Sequence, residues 1–141
     1  MPTTSVLPPS CDISEYSILS VRAERTPAEN SSSFQVRPEI RFEDGKKPYD
    51  VLLTIQHIVS GFSFSCSIEG RFTFHEAISS KNVLHAWVNG CTILYGIARG
   101  LYSSAASQCI HKSLMLPTVM MVDAVRRRIE ELKPVKQSAK S

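Results

Sequence analysis

The sequence predicts an α+β domain: a four-stranded antiparallel sheet followed by a long helix and a shorter C-terminal helix packed on one face. Three observations predict it. Residues 34–42 and 62–74 alternate apolar and polar side chains with a period of two. Residues 83–132 switch to apolar spacings of three and four. The strand-like block comes first and the helical block last, which is the order of an α+β domain and not of repeated βαβ units.

Each element has its own warrant. A first strand is expected over about Asp12–Ala23, although its alternation is weak. Thr26–Ser33 holds Pro27, Asn30 and three serines and reads as a loop. In the second strand Phe34, Val36, Ile40 and Phe42 share a face with Pro38, and Gln35, Arg37, Glu39 and Arg41 take the other. Proline cannot donate to a ladder, so this strand belongs at an edge or carries a bulge. Glu43–Pro48, with Asp44-Gly45, reads as a turn. Tyr49–Val59 is apolar on both faces near Val51–Ile55 and reads as a central strand. Ser60-Gly61 fits a tight hairpin. The fourth strand carries Phe62, Phe64, Cys66, Ile68, Phe72 and Phe74 on one face. Its Gly70 keeps the apolar phase and marks a bulge or a close contact. Polar residues claim the opposite faces, so the helices belong on the aromatic side.

The helical block divides in three. Val83, Leu84, Trp87 and Val88 suggest a short helix that ends near Asn89-Gly90. Thr92 is positioned to cap a longer one. In it, Leu94, Ile97, Ala98, Leu101, Tyr102 and Ala105 form one apolar face. A last helix is expected over about Met120–Leu132, stopped by Pro134. The domain then spans 12–132. A proline-bearing disordered arm (1–11) precedes it and a basic flexible tail (133–141) follows it.

Bulk properties exclude several classes. At 141 residues, a single domain with one adequate core is expected. A net charge of +3 is too small to imply nucleic acid. Cys11, Cys66, Cys91 and Cys109 form no CxxC pair, so a reducing compartment is the simpler reading. Met1–Ser10 lacks the basic and apolar runs of a signal peptide. His85, Asn89 and Arg99 interrupt the longest apolar stretch, Val83–Ala106. A soluble cytoplasmic protein, not inserted in a membrane, is expected.

The candidate chemistry is thin. Cys109-Ile110-His111 with Cys91 and His85 lacks the paired spacing of a structural zinc site. Cys66 and His57 lie on adjacent strands, but apolar neighbours surround them and no oxyanion loop accompanies them. No Walker or GxGxxG unit is present. The expectation is no enzyme, no metal and no cofactor. Gly96 and Gly100 form a GxxxG, which suits close packing of a helix. Arg126, Arg127 and Arg128 form a basic run, with Glu130 and Glu131 at i, i+4 spacing from the first two. A solvated, self-paired face is the simpler reading, and a nucleic-acid contact the alternative. Met115, Met120 and Met121 cluster within seven positions beside Leu116. Clustered methionine makes an adaptable apolar surface.

Ordered along the chain, several of these segments resemble the SecB family of protein-export chaperones. Tyr49-Asp50-Val51-Leu52-Leu53 and Phe64-Ser65-Cys66-Ser67-Ile68-Glu69-Gly70-Arg71-Phe72 are similar to two of the family's strands. Ile93-Leu94-Tyr95-Gly96-Ile97-Ala98-Arg99-Gly100 keeps the Ile-Leu-aromatic and Ala-Arg pairs of its long helix. Leu114-Met115-Leu116-Pro117-Thr118-Val119-Met120-Met121 is similar to its extended connection. The chain departs from the family at Gly96, Gly100 and Met120, and in a tail with Lys133, Lys136 and Lys140 where export members are often acidic. The resemblance implies an ATP-independent holdase for unfolded or extended apolar clients. It also implies a homotetramer, a dimer of dimers with first strands and long helices at the interfaces, and an export motor ATPase as a partner. A SecB-like chaperone of another pathway, such as toxin–antitoxin control, is the alternative. Client binding is assigned to Phe34, Val36, Ile40, Phe42, Met115, Leu116, Met120 and Met121. Subunit contact is assigned to Leu94, Ile97, Leu101 and Tyr102.

Overall fold

The strands do form the sheet that the alternation calls for. The computed structural model describes residues 11–27, 32–42, 48–74, 78 and 81–132. Of the expected 1–11 arm, Cys11 is instead paired with Phe74, and residues 1–10 lie outside the described residues, as do the Asp44-Gly45 turn, the Pro134 stop and the 133–141 tail. The order is β1 (Cys11–Arg25), β2 (Ser33–Arg41), β3 (Pro48–Val59), β4 (Phe62–Phe74), α1 (Val83–Ile110) and α2 (Met121–Leu132).

The sheet is antiparallel throughout, with spatial order β1-β4-β3-β2. β2 is an edge strand, as Pro38 requires, and β3 is central. β1 is the other edge and pairs with β4, while the next strand in sequence, β2, lies on the opposite edge. Its pairing slips between Ile13 and Glu15 and again between Ile18 and Ser20. Those slips break the period of two, which is why its alternation reads weakly.

β3 and β4 supply the floor of the core. Tyr49, Val51, Leu53 and Ile55 are buried beside Phe62, Phe64, Cys66, Ile68, Phe72 and Phe74. α1 covers this aromatic face with Trp87, Cys91, Leu94, Ala98 and Tyr102. Tyr102 is the centre of a ring cluster, with Phe64 at 5.0 Å and Phe62 at 5.6 Å, both edge-on. Edge-on pairs of this kind contribute about 0.5–1.5 kcal/mol each beyond their buried area. Tyr49 donates from its hydroxyl to the Ala86 carbonyl at 3.0 Å, fixing the start of α1 to β3.

Two expectations for this region fail. α1 is one continuous helix of 28 residues and does not break at Asn89-Gly90. Gly90 lies at a close approach of helix and sheet: a Cβ there would sit 2.8 Å from Val51 Cγ2. Gly70 meets the same approach from the sheet side, where a Cβ would sit 3.0 Å from Leu94 Cδ2. Close packing outweighs the roughly 1 kcal/mol that a mid-helix glycine costs. Thr92 is not a cap either. It lies inside the helix and donates back to the Val88 carbonyl at 2.7 Å.

α1 ends at His111, which adopts a left-handed conformation with φ 54° and ψ 39°. The chain then runs extended from residue 112 to 120 before α2. α2 packs on α1 and beside β2, burying Met121, Ala124 and Val125.

Candidate functional site

A groove of about 670 Å³ runs between β2, the 112–120 connection and α2. Four consecutive β2 residues, Phe34 to Arg37, bound it. Consecutive strand residues point to opposite faces, so the groove borders β2 on both of them. Thr54 and Gln56 of β3 extend that wall. They stand opposite Arg37 and Gln35 in the ladder. Thr118, Val119 and Met120 close the second side. From α2 come Asp123, Ala124, Arg127, Arg128 and Glu131, spaced to share one helix face.

The connection is fastened to α1 at two points. The Tyr95 hydroxyl donates to the Pro117 carbonyl, and Ser103 Oγ donates to the Leu114 carbonyl at 2.9 Å. Burial pushes the Tyr95 phenol up to about 12, so it keeps its proton and its hydrogen bond at neutral pH. Leu116 is fully buried between these two points.

α2 is held to the sheet by charge. Arg128 donates from Nη2 to Glu39 Oε2 at 3.0 Å and from Nη1 to Glu131 Oε1 at 3.1 Å. Its side chain is only 13% exposed. The pairing therefore differs from the expected one: Glu131 engages Arg128, not Arg127. The three arginines do not form one basic patch. Arg126 and Arg127 are exposed, whereas Arg128 is a bridge between α2 and β2.

Beneath the groove, His57 Nδ1 and the Tyr102 hydroxyl are 3.0 Å apart, both buried. The Phe34 ring stands edge-on to the His57 imidazole at 5.2 Å. Groove wall, sheet and α1 thus meet at one polar pair. Burial lowers the His57 pKa below its ordinary value. His57 is partnered with Tyr102 and not with Cys66. Burial also pushes the Cys66 thiol up to about 11, opposite to what a thiolate nucleophile needs. Among the described residues, no three His, Cys, Asp or Glu side chains come together as a metal set would. None of the described helices is long and apolar enough to cross a membrane.

The structure sorts the eight residues assigned to client binding. Phe34, Val36 and Met120 line the groove. Ile40 and Phe42 are half-buried and pack on the core instead. Leu116 and Met121 are core residues, at 2% and 6% exposure. Met115 is exposed but stands outside the groove. The four residues assigned to subunit contact also divide. Leu94 and Tyr102 are buried against the sheet of their own chain and have no surface left for a partner. Ile97 and Leu101 are half-buried on the flank of α1. Gly96 and Gly100 face outward, with nothing within 4 Å of where a Cβ would lie. The large apolar residues that are exposed lie instead on β1: Tyr16, Ile18, Leu19 and Val21.

Sequence reasoning missed the polar half of the groove. Gln35 and Arg37 read as the polar face of the second strand and Arg127 as a solvated helix face, while Thr54, Gln56 and Asp123 carry no signal of their own. Only the packing of α2 beside β2 turns these two faces toward one space.

A sheet of four antiparallel strands with one long covering helix, an extended connection and a second helix defines an α+β fold with an edge-strand groove. The fold is that of the SecB-like chaperone Rv1957 of Mycobacterium tuberculosis, solved in complex with a ChAD peptide from the Rv1956 HigA1 antitoxin. The TM-score is 0.61 at 12% identity, over 78% of this chain and 91% of that one. A protein of unknown function from Streptococcus agalactiae is also similar, with a TM-score of 0.56 at 12% identity, over 77% of this chain and 97% of that one. No family model matches the sequence. No curated protein matches it either.

Proposed function

We propose that this protein is a chaperone, not an enzyme, and that it holds an extended client segment in the groove along β2. The observation that carries this reading is the groove itself. It follows an edge strand, its opposite wall is a stapled connection, and exposed Met120 and half-buried Val36 and Val119 offer apolar contacts. An edge strand supplies backbone partners, and methionine adapts to varied side chains. The similarity in fold to a SecB-like chaperone that holds an antitoxin peptide supports the same reading. That peptide also favours a dedicated client in the cytoplasm over general protein export with a motor ATPase.

We further propose that the chain works as a homo-oligomer, a tetramer in the fullest form, built on β1 and the outer face of α1. Tyr16, Ile18, Leu19 and Val21 are 43–54% exposed on an edge strand, a liability unless covered. The test combines two measurements: mass in solution, and aggregation of an unfolding client protein. A mass of several times 15.7 kDa with suppressed aggregation is expected. A monomer that leaves aggregation unchanged at several-fold excess would sink the reading.

A further inference from the structure

Two guanidinium groups of the groove, those of Arg37 and Arg127, engage none of its carboxylates. We infer that its client presents an acidic side chain flanked by apolar ones; this rests on the client-binding reading and sharpens it. Three guanidinium groups line the groove, on Arg37, Arg127 and Arg128, against the carboxylates of Asp123 and Glu131. Arg128 is not available to a guest. Its two terminal nitrogens hold Glu39 and Glu131, and its side chain is largely buried. That bridge consumes Glu131 as well.

Arg37 of β2 and Arg127 of α2 remain, on facing walls and both exposed. No ion pair or hydrogen bond joins either side chain to another described residue. A guanidinium presents a planar fork of donors that matches a carboxylate, and these two border one groove from opposite walls. Asp123 is the remaining carboxylate. It sits in the first turn of α2, where the helix N-terminus offsets a negative charge. It also lies one turn before Arg127, so the helix wall reads acid then base. The client's carboxylate therefore belongs at the Arg127 end, across from Arg37. Val36, Val119 and Met120 take the apolar residues on either side of it.

Fluorescence anisotropy on the full-length protein tests this, with three ten-residue labelled peptides. All are apolar and identical except for a central Glu, Gln or Lys. The Glu peptide is expected to bind about fivefold more tightly than the Gln peptide, and the Lys peptide more weakly than either. The Glu preference should shrink as salt rises from about 50 to 500 mM, because exposed charges are screened. In the Arg37→Gln/Arg127→Gln double variant the Glu-to-Gln ratio should fall to about one. Both positions are exposed, and an unchanged thermal melt confirms that the fold is kept. Equal binding of the three peptides overturns the charge selection alone, as does a Glu preference that survives in the double variant. Binding of none of them overturns the client-groove reading itself, and this inference with it.

Discussion

The two edges of the sheet deal with the same hazard in opposite ways. An edge strand displays a row of unpaired backbone groups and invites pairing with another chain. β2 is short at nine residues, carries Pro38, and is flanked by α2, which a charged bridge from Arg128 to Glu39 holds in place. β1 is 15 residues long, slips register twice, and leaves Tyr16, Ile18, Leu19 and Val21 exposed. β2 is an edge made selective. It borders a groove whose lining is mostly polar. β1 is an edge left sticky, as an edge meant for a permanent partner would be. The comparison teaches that exposed apolar area and a candidate groove need not coincide in one small domain.

The largest expected effect removes the platform that both edges share. Tyr102→Ala deletes the ring that packs on Phe62 and Phe64 and orphans His57. It should cost about 3–5 kcal/mol, read as a loss of most or all cooperative thermal unfolding. A melt within a few degrees of the parent would show that α1 is not the keystone described here.

Arg128→Ala should separate the edges. It removes the charge bridge between α2 and β2 and leaves Glu39 and Glu131 without their shared cation. A loss of about 1–2 kcal/mol is expected. Hydrogen exchange should rise first in α2 and β2, while β1 and β4 keep their protection. Uniform loosening of all four strands would contradict the division between edges.

Acid should act on the same side. The His57 pKa is lowered from 6.5 by burial, so the unfolded chain takes up this proton more readily than the folded one. Stability from this group is complete above that unfolded value and falls as the pH drops below it toward the folded pKa. Tyr102 is the titratable side chain bonded to His57, and burial pushes its own pKa up, so it stays neutral throughout. Chemical denaturation between pH 7.5 and 5 should show the decline, and His57→Gln should flatten it. An equal slope in both proteins would assign the acid sensitivity elsewhere.

Smallest in its effect on the fold is Leu19→Lys on β1. The residue is 54% exposed, so the stability of the single chain should change by no more than about 0.5 kcal/mol. If β1 is the assembly edge, the mass in solution should nonetheless drop. An oligomer unmoved by Leu19→Lys combined with Val21→Lys would place assembly on another surface.

The sheet was legible because β4 keeps a clean alternation, β3 is apolar on both faces near Val51–Ile55, and Pro38 restricts β2 to an edge. What escaped depended on contacts between distant segments. Gly90 reads as a helix breaker until Val51 is seen 2.8 Å from its absent Cβ. Arg127 reads as the partner of Glu131 by helical spacing. Arg128 takes that carboxylate because Glu39, 89 positions away in sequence, fixes where its guanidinium lies. The apolar pattern located the groove only in part. Burial claimed Leu116 and Met121 for the core, and the polar lining carried no period that marks a groove.

The two hydrogen bonds that staple the connection to α1 have a consequence for how a guest would be held. Because Pro117 and Leu114 are tied down by Tyr95 and Ser103 within the free chain, one wall of the groove has already lost its conformational freedom. Ordering then falls almost wholly on the incoming segment, at about 1–2 kcal/mol for each residue fixed. Affinity should therefore follow the stiffness of the guest as much as its composition. A segment already biased toward extended backbone, through proline or β-branched residues, should be retained longer than a glycine-rich one with the same side-chain contacts.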